Sequence, residues 1–433
     1  MAQNPGLDRP NILYLHSHDT GRYIQPYGYA VPMPNLQRLA ESGYLFRQAY
    51  CASPTCSPSR AALLTGMAPH NNGMLGLAHF GFTLNDYSQH MIHTLRAGAG
   101  YTSLIAGMQH IARDPAQIGF DAILQDERPP EQRAADFLRN NPPQPFFLDI
   151  GFNATHRVFP EPGPLDNPNY VCPPAPIPDL PQTREDMAGF ITLARQLDQQ
   201  MGVVLDALEA SGLAQNTLVI CTTDHGVAFP GMKCNLTGHG TGVLLILRGP
   251  GGFQGGQVSD ALVSQIDVFP TLCDLLGIAP PPWLQGKSIL PLVQGTAGQI
   301  RDEVFGEINF HVAAEPQRSI RTLRWCYIRR FDGRNHPVLP NTDDSPSKTV
   351  WMDHGWRERG VPEEQLYDLI FDPNETSNLA ADAQYSDIKA SLRARLEDWM
   401  RETGDPLLRG PLVWPEGFPG LDPDQTSPSE LKF

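Results

Sequence analysis

Short, nearly continuous apolar runs recur along the chain: "NILYLH" at 11–16, "TSLIAG" at 102–107, "PFFLDIGF" at 145–152, "TLVICTT" at 217–223 and "GVLLILRG" at 242–249. Each ends in polar or glycine-rich residues and is dense in Val, Ile, Leu and Phe, as strands covered on both faces are. Between the runs the period changes. Over 187–212, Phe190, Ile191, Ala194, Leu197, Met201, Val204, Leu205 and Leu208 fall on one stripe, and Gly212 marks its end, which predicts a long helix. Strands alternating with helices predict an α/β fold, a large and mostly parallel sheet flanked by helices.

Pro and Gly cluster at 159–182 and again at 279–286, which predicts irregular loops. Beyond about residue 300 the pattern differs. "SIRTLRWCYIRRF" at 319–331 alternates like an antiparallel strand, and 388–400 reads as a helix. The chain therefore divides into an α/β domain at 1–298, which would carry any catalysis, and a smaller C-terminal α+β domain with an antiparallel sheet at 299–433. The Pro-rich tail from Gly410 is expected to wrap the surface.

Composition narrows the partners. The 433 residues are 41% hydrophobic, enough for a large core, and the net charge of −15 argues against nucleic acid or an anionic membrane. No run reaches the length of a membrane span. The start, "MAQNPGLDRPNILYLH", has no basic segment followed by a long apolar stretch. Cysteines at 51, 56, 172, 221, 234, 273 and 326 lack zinc-finger spacing, as reduced thiols would. A cytoplasmic protein is expected; a homo-oligomer is left open.

Chemistry gathers just past predicted strands, where open α/β sheets collect their ligands. "HSHDTG" supplies His18 and Asp19, and "TTDHG" supplies Asp224 and His225. Two carboxylates and two imidazoles could meet at one cation: the oxygens suit calcium, magnesium or manganese, and the nitrogens move the preference toward manganese or zinc. The alternative is that each Asp caps the turn or helix that follows it. In "ASPTCSPSRAALLTG", Cys56 opens a predicted helix, with Pro58 in the first turn and Arg60 just inside. A helix start suits an anion or an activated nucleophile, although a free cysteine is more commonly a small buried hydrophobe.

"PTCSPSRAALLTG" matches the sulfatase signature, Cys-x-Pro-Ser-Arg followed by a small helical segment and Thr-Gly. "GYTSLIAGMQH" at 100–110 resembles the family's second signature, and "SQIDVFPTL" at 264–272 and "QLYDLIFDPNETSNLA" at 365–380 resemble further sulfatase landmarks in the usual order. The chain thus resembles the sulfatases of the alkaline-phosphatase-like superfamily. "CSPSRAALLTGMAPHNNGMLGL", "THRVFP" and "EINFHVAAEPQRSIRT" are most similar to the N-sulfoglucosamine sulfohydrolase (sulfamidase) branch.

The resemblance implies that a formylglycine-generating enzyme reads Pro58 and Arg60 and oxidises Cys56 to formylglycine (3-oxoalanine). The hydrated aldehyde has two hydroxyls: one attacks sulfur, and the other later loses its proton to expel sulfate, which divides one hard step into two. It also implies one divalent metal, calcium first and manganese or magnesium next, held by Asp19, Asp224, His225 and the group at Cys56. His18 stands where many members carry another Asp. Arg60 would steady the nucleophile, Lys233 in "GMKCNLTG" would grip sulfate, His156 would protonate the leaving group, and His110 would serve as base for sulfate expulsion. Met108 replaces the lysine of the second signature, and Arg157 is the expected substitute cation. Asn72, His239, His311 and Arg318 are the candidates for binding substrate, with His70, Asn71 and Arg321 beside them. The implied activity is hydrolysis of a sulfate ester or sulfamate of a sugar-like compound. A phosphodiesterase or phosphonate monoester hydrolase of the same superfamily is the alternative, and a non-catalytic binder of sulfated glycans a third reading.

Overall fold

The fold is that of a computed structural model, which describes residues 9–418 and 420–430. The polar start at 1–8 lies outside the described residues. Eight strands form the main sheet: β1 (Asn11–Ser17), β2 (Tyr44–Tyr50), β3 (Thr102–Gly107), β4 (Ala122–Ile123), β5 (Phe146–Gly151), β6 (Thr217–Thr223), β7 (Leu245–Arg248) and β8 (Gln257–Ser264), in the order β4-β3-β5-β1-β6-β7-β2-β8. Neighbours run parallel except at β7, which is antiparallel to both β6 and β2. The expected sheet is present with one reversed strand, and the apolar run at 242–249 contributes only four residues of strand.

The longer helices are α1 (Pro34–Ser42), α2 (Cys56–Thr65), α3 (Met91–Ala99), α4 (Pro130–Arg139), α5 (Pro181–Ala210), α6 (Val268–Leu276), α7 (Pro346–Asp353) and α8 (Ser386–Glu402). Alternate residues of the strands feed two cores. Ile12, Tyr14, Phe147 and Ile220 pack with α2, α3 and α6 on one face. Leu13, Leu15, Leu148 and Val219 pack with α1, α4 and α5 on the other. That double covering is why β1 and β6 read as continuous apolar runs. No helix among the described residues is long and apolar enough to cross a membrane.

A second sheet, antiparallel, begins at residue 304: β9 (Val304–Phe310), β10 (Ala314–Arg321), β11 (Trp325–Arg330) and β12 (Glu364–Asp368), in the order β12-β11-β10-β9. Ile320, Tyr327 and Leu366 pack it against Leu392, Leu396 and Met400 of α8. The stretch at 319–331, expected as one strand, is the end of one, a turn and the next: Ile320 pairs with Tyr327 across it.

His90 precedes α3 and is fully buried, its Nδ1 accepting the Ile92 N–H at 3.2 Å. Burial, with a smaller push from His93, lowers its pKa from the ordinary 6.5 to about 3. Below pH 6.5 the unfolded chain therefore binds a proton that the folded chain refuses. Stability stands undiminished above that pH and is lost as pH falls toward 3, by about 3–5 kcal/mol in all. His90→Asn keeps a capping acceptor without the titration, so its thermal melts should lose less between pH 6 and 4 than wild-type melts do.

Candidate active site

The parallel register of β1 and β6 builds the floor of the site. Ser17 pairs with Thr223, so the residues that follow each strand leave the same edge of the sheet side by side. His18 and Asp19 thus meet Asp224 and His225. Asp19 sits in the left-handed region, φ 56°, which a short polar side chain tolerates. Its backbone N–H donates to Asp224 Oδ1 at 2.8 Å. Cys56, the first residue of α2, enters from the helix covering this edge. One ligand atom each from His18, Asp19, Cys56, Asp224 and His225 lies within 4.8 Å of all the others, and all five residues are buried.

The chemistry of these donors fits a cation. His225 Nδ1 lies 3.0 Å from the Gly226 carbonyl, which can only accept, so in the neutral ring Nδ1 carries the hydrogen. The lone pair of Nε2 then faces Cys56 Sγ at 3.4 Å, Asp19 Oδ1 at 3.3 Å and Asp224 Oδ2 at 3.7 Å, an arrangement that calls for positive charge at its centre. His18 Nδ1 is 2.7 Å from Asp19 Oδ1 and 3.1 Å from Asp224 Oδ2. Burial lowers its pKa to about 4 despite both carboxylates, so the ring is neutral near pH 7.

Two buried cations flank the cage. Lys233 Nζ lies 3.0 Å from Asp19 Oδ2 and 3.0 Å from Asp343 Oδ2. Burial works against its charge, but the two carboxylates outweigh that and hold its pKa above the usual lysine value. Arg60 Nη2 donates to Asp224 Oδ2 and to the Ser17 carbonyl, each at 2.8 Å. Its Nη1 meets His16 Nδ1 at 2.5 Å, and His16 Nε2 lies 2.7 Å from Asp149 Oδ1. Burial pushes the Cys56 thiol well above its ordinary pKa; Lys233 opposes this and the two aspartates reinforce it. The bare thiol is thus protonated at neutral pH and a poor nucleophile.

Histidines form the rim. His156 is 38% exposed at the side chain, its ring 4.5 Å from that of His18 and its Nε2 4.0 Å from Asp19 Oδ2. Its Nδ1 is spent on the Arg157 carbonyl. The His110 ring lies 5.7 Å from His18, with Nδ1 buried and unpartnered and Nε2 3.0 Å from Nδ1 of the exposed His79. His311 is buried within the electrostatic reach of Lys233 and Asp343, with Nδ1 unpartnered.

The other expected residues do not join this group. Asn72 is fully buried and its amide is used locally, donating to Thr65 Oγ1 and accepting from Met74 N–H, so it caps a turn instead of meeting substrate. Arg318 is sealed in the second sheet, bound to Asp405 through two nitrogens and to Asn309. His239 spends both ring nitrogens on Tyr23 and the Asn374 carbonyl, and lines a cleft of about 710 Å³ with Trp351 and Tyr367 instead of the cage. His70 pairs with Glu307, Asn71 with Gln285, and Arg321 with Glu375. Arg157, the expected substitute for lysine at 108, is corrected too. Its guanidinium is bidentate to Asp186 and packed over Phe159 and Phe229, which leaves it no free donor edge.

Sequence reasoning missed Asp343, His79 and the His16–Asp149 pair. His16 carried a faint signal, a histidine inside an otherwise apolar strand.

The chain is similar to known proteins along most of its length. Residues 10–278 match the sulfatase family, and residues 237–349 match the C-terminal region of N-sulphoglucosamine sulphohydrolase. The chain is 29% identical over 467 residues to N-sulphoglucosamine sulphohydrolase of Homo sapiens, covering 93% of this chain and 92% of that one. Its fold is similar to that of a 2-O GAG sulfatase, with a TM-score of 0.73 at 23% identity over 98% of this chain and 100% of that one. It is also similar to phosphonate monoester hydrolase of Agrobacterium radiobacter, with a TM-score of 0.69 at 22% identity over 91% and 96%. With the signature cysteine set into a buried cluster of side chains that could hold a metal ion, and the family match spanning all eight strands of the main sheet, the chain belongs to the sulfatase family, the hydrolases of sulfuric esters and sulfamates.

Proposed function

We propose that this sulfatase depends on formylglycine at position 56 and on one divalent cation, and that it removes sulfate from a sulfated sugar as ester or sulfamate. The observation that supports this most is the convergence of Cys56 with His18, Asp19, Asp224 and His225. The cation, when bound, supplies Lewis acidity at the sulfuryl group. The oxidised side chain supplies a hydroxyl nucleophile that the protonated thiol does not. His18 lies inside the cage, not set back from it, and two imidazoles beside two carboxylates favour manganese over calcium.

The chain's own groups divide the remaining work. Lys233, kept charged by two carboxylates, donates to the anionic oxygens of the substrate. Arg60, itself buried, anchors Asp224 from behind the cage. His156 stands at the rim, where a proton on Nε2 can pass to the departing oxygen or nitrogen. His110 offers its unpartnered Nδ1 for the proton released on sulfate expulsion. His311, beside Lys233 and Asp343, is the remaining candidate for substrate contact. The free cysteines support a reducing, cytoplasmic setting.

One observation favours a second reading: Met108 brings no cation and Arg157 is committed elsewhere, so the site has one positive group fewer than the family signature implies. A phosphonate monoester or phosphate diester, carrying one negative charge on the reacting group as a sulfate ester does, would also suit it. Rates on an aryl sulfate, an aryl sulfamate, a phosphate diester and a phosphonate monoester decide between the two. The sulfur substrates are expected to lead by about a hundredfold in kcat/KM, roughly 3 kcal/mol of discrimination. A lead for either phosphorus substrate refutes the assignment.

A further inference from the structure

Behind the cage lies a polar chain that the reaction as described does not use. His16 and Asp149 sit on the neighbouring strands β1 and β5, where Tyr14 pairs with Asp149 and His16 with Gly151. The two side chains are therefore diagonal neighbours on one face of the sheet, the face that α2 covers. Both are buried, His16 at 2% and Asp149 at 1% exposure, on the face where Tyr14 and Phe147 share an apolar core with α2. The Tyr14 ring stacks on that of His16 at 4.7 Å. A Cβ at Gly151 would fall 1.8 Å from the Met108 carbonyl oxygen and 2.6 Å from His16 Cε1, so the backbone just past β3 and the imidazole both close in on this glycine.

The hydrogen-bond directions are fixed by chemistry. A guanidinium only donates, so His16 Nδ1 accepts from Arg60 Nη1. The hydrogen of the neutral ring is then on Nε2, where it donates to Asp149 Oδ1. Arg60 in turn spends Nη2 on Asp224 Oδ2 and the Ser17 carbonyl. The order Asp149, His16, Arg60, Asp224 is a continuous line of buried partners ending on a cage carboxylate. Remove the His16 acceptor, and one end of the fork is free to rotate away from Asp224.

We propose that His16 and Asp149 are positioning residues, an acid–imidazole pair that fixes the guanidinium of Arg60 and, through it, the carboxylate of Asp224. The inference rests on the proposed reaction at Cys56. A pair that merely filled space would influence folding and leave turnover alone.

The test compares two variants with wild type on an aryl sulfate, each also followed by thermal melting. His16→Leu combined with Asp149→Leu removes the polar pair without leaving a buried charge unpaired, so the protein should stay folded. Its kcat should fall about tenfold or more with KM within about twofold, the mark of a contact that counts in the transition state. Asp149→Asn is isosteric but neutral: its amide oxygen accepts the Nε2–H without the charge that orients the ring, so its kcat should fall in the same way. If the double variant does not fold, Asp149→Asn decides. Either folded variant holding kcat within about twofold of wild type, or showing its loss in KM alone, overturns the pair's role. Cys56→Ala runs beside them. Activity surviving there overturns the reading at Cys56 and this inference together, whereas activity lost there and kept in both variants overturns only this inference.

Discussion

Cys56→Ala is expected to abolish hydrolysis and leave the protein folded. The substitution removes one sulfur from the first residue of a wholly buried helix, a loss of packing worth about 1 kcal/mol in a core that surrounds it with other helix and sheet side chains. Turnover should drop by about four orders of magnitude or more, since the remaining groups bind and polarise substrate without a nucleophile to attack it. Because burial holds the thiol protonated, wild-type protein with unmodified Cys56 should be as inactive as the alanine variant. Activity should therefore scale with the fraction of the Cys56 peptide in which mass spectrometry finds sulfur replaced by a carbonyl oxygen. Preparations of full activity with an intact thiol would refute the assignment of the nucleophile.

The sequence carried some of this arrangement openly. β1, β3 and β6 were legible because both faces are covered, and their apolar runs start and stop within a residue of the observed strands. The meeting of His18 and Asp19 with Asp224 and His225 followed from the same fact, since parallel neighbours deliver their next residues to one edge. β2 and β8 escaped notice because each mixes polar and apolar positions along an outer part of the sheet, as "YLFRQAY" and "QVSDALVS" show. The direction of β7 is set by its partners and leaves no mark in four residues of strand. Single residues with distant partners were the hardest. Arg318 looked like a free cation because its carboxylate, Asp405, comes 87 positions later. Asn72 was read by its nearness to the signature, although its amide only closes a turn. Asp343 and Asp149 sit in no motif, and only the fold brings one to Lys233 and the other to His16.

Asp224→Asn is expected to cost both turnover and stability, because the carboxylate serves two networks with different oxygens. Oδ1 accepts the backbone N–H groups of Asp19 at 2.8 Å and His225 at 2.9 Å, holding the two strand ends together. Oδ2 receives Arg60 at 2.8 Å and faces His18 and His225 in the cage. An asparagine keeps the shape but has one oxygen, so its amide nitrogen must point either at the two backbone donors or at the guanidinium. Both choices set donor against donor. Arg60 also loses its buried counter-charge, and a guanidinium left unpaired at 3% exposure costs about 3–5 kcal/mol. The acid limb of the stability profile should change as well. Burial tends to raise the Asp224 pKa, but Arg60, His225 and His18 overcome this and hold it below the ordinary 3.8. Wild type thus draws stability from this group above pH 3.8 and loses it as pH falls through the depressed folded value, a decline the variant cannot show. On activity the expectation is a loss of about a thousandfold, since the cage loses one of its two carboxylates and the support that orients the other. Chelation separates the two effects: wild type stripped of metal should regain its rate when manganese is added back, and the folded variant should not. A variant as active as wild type in excess manganese would mean that Asp224 holds Arg60 and no cation.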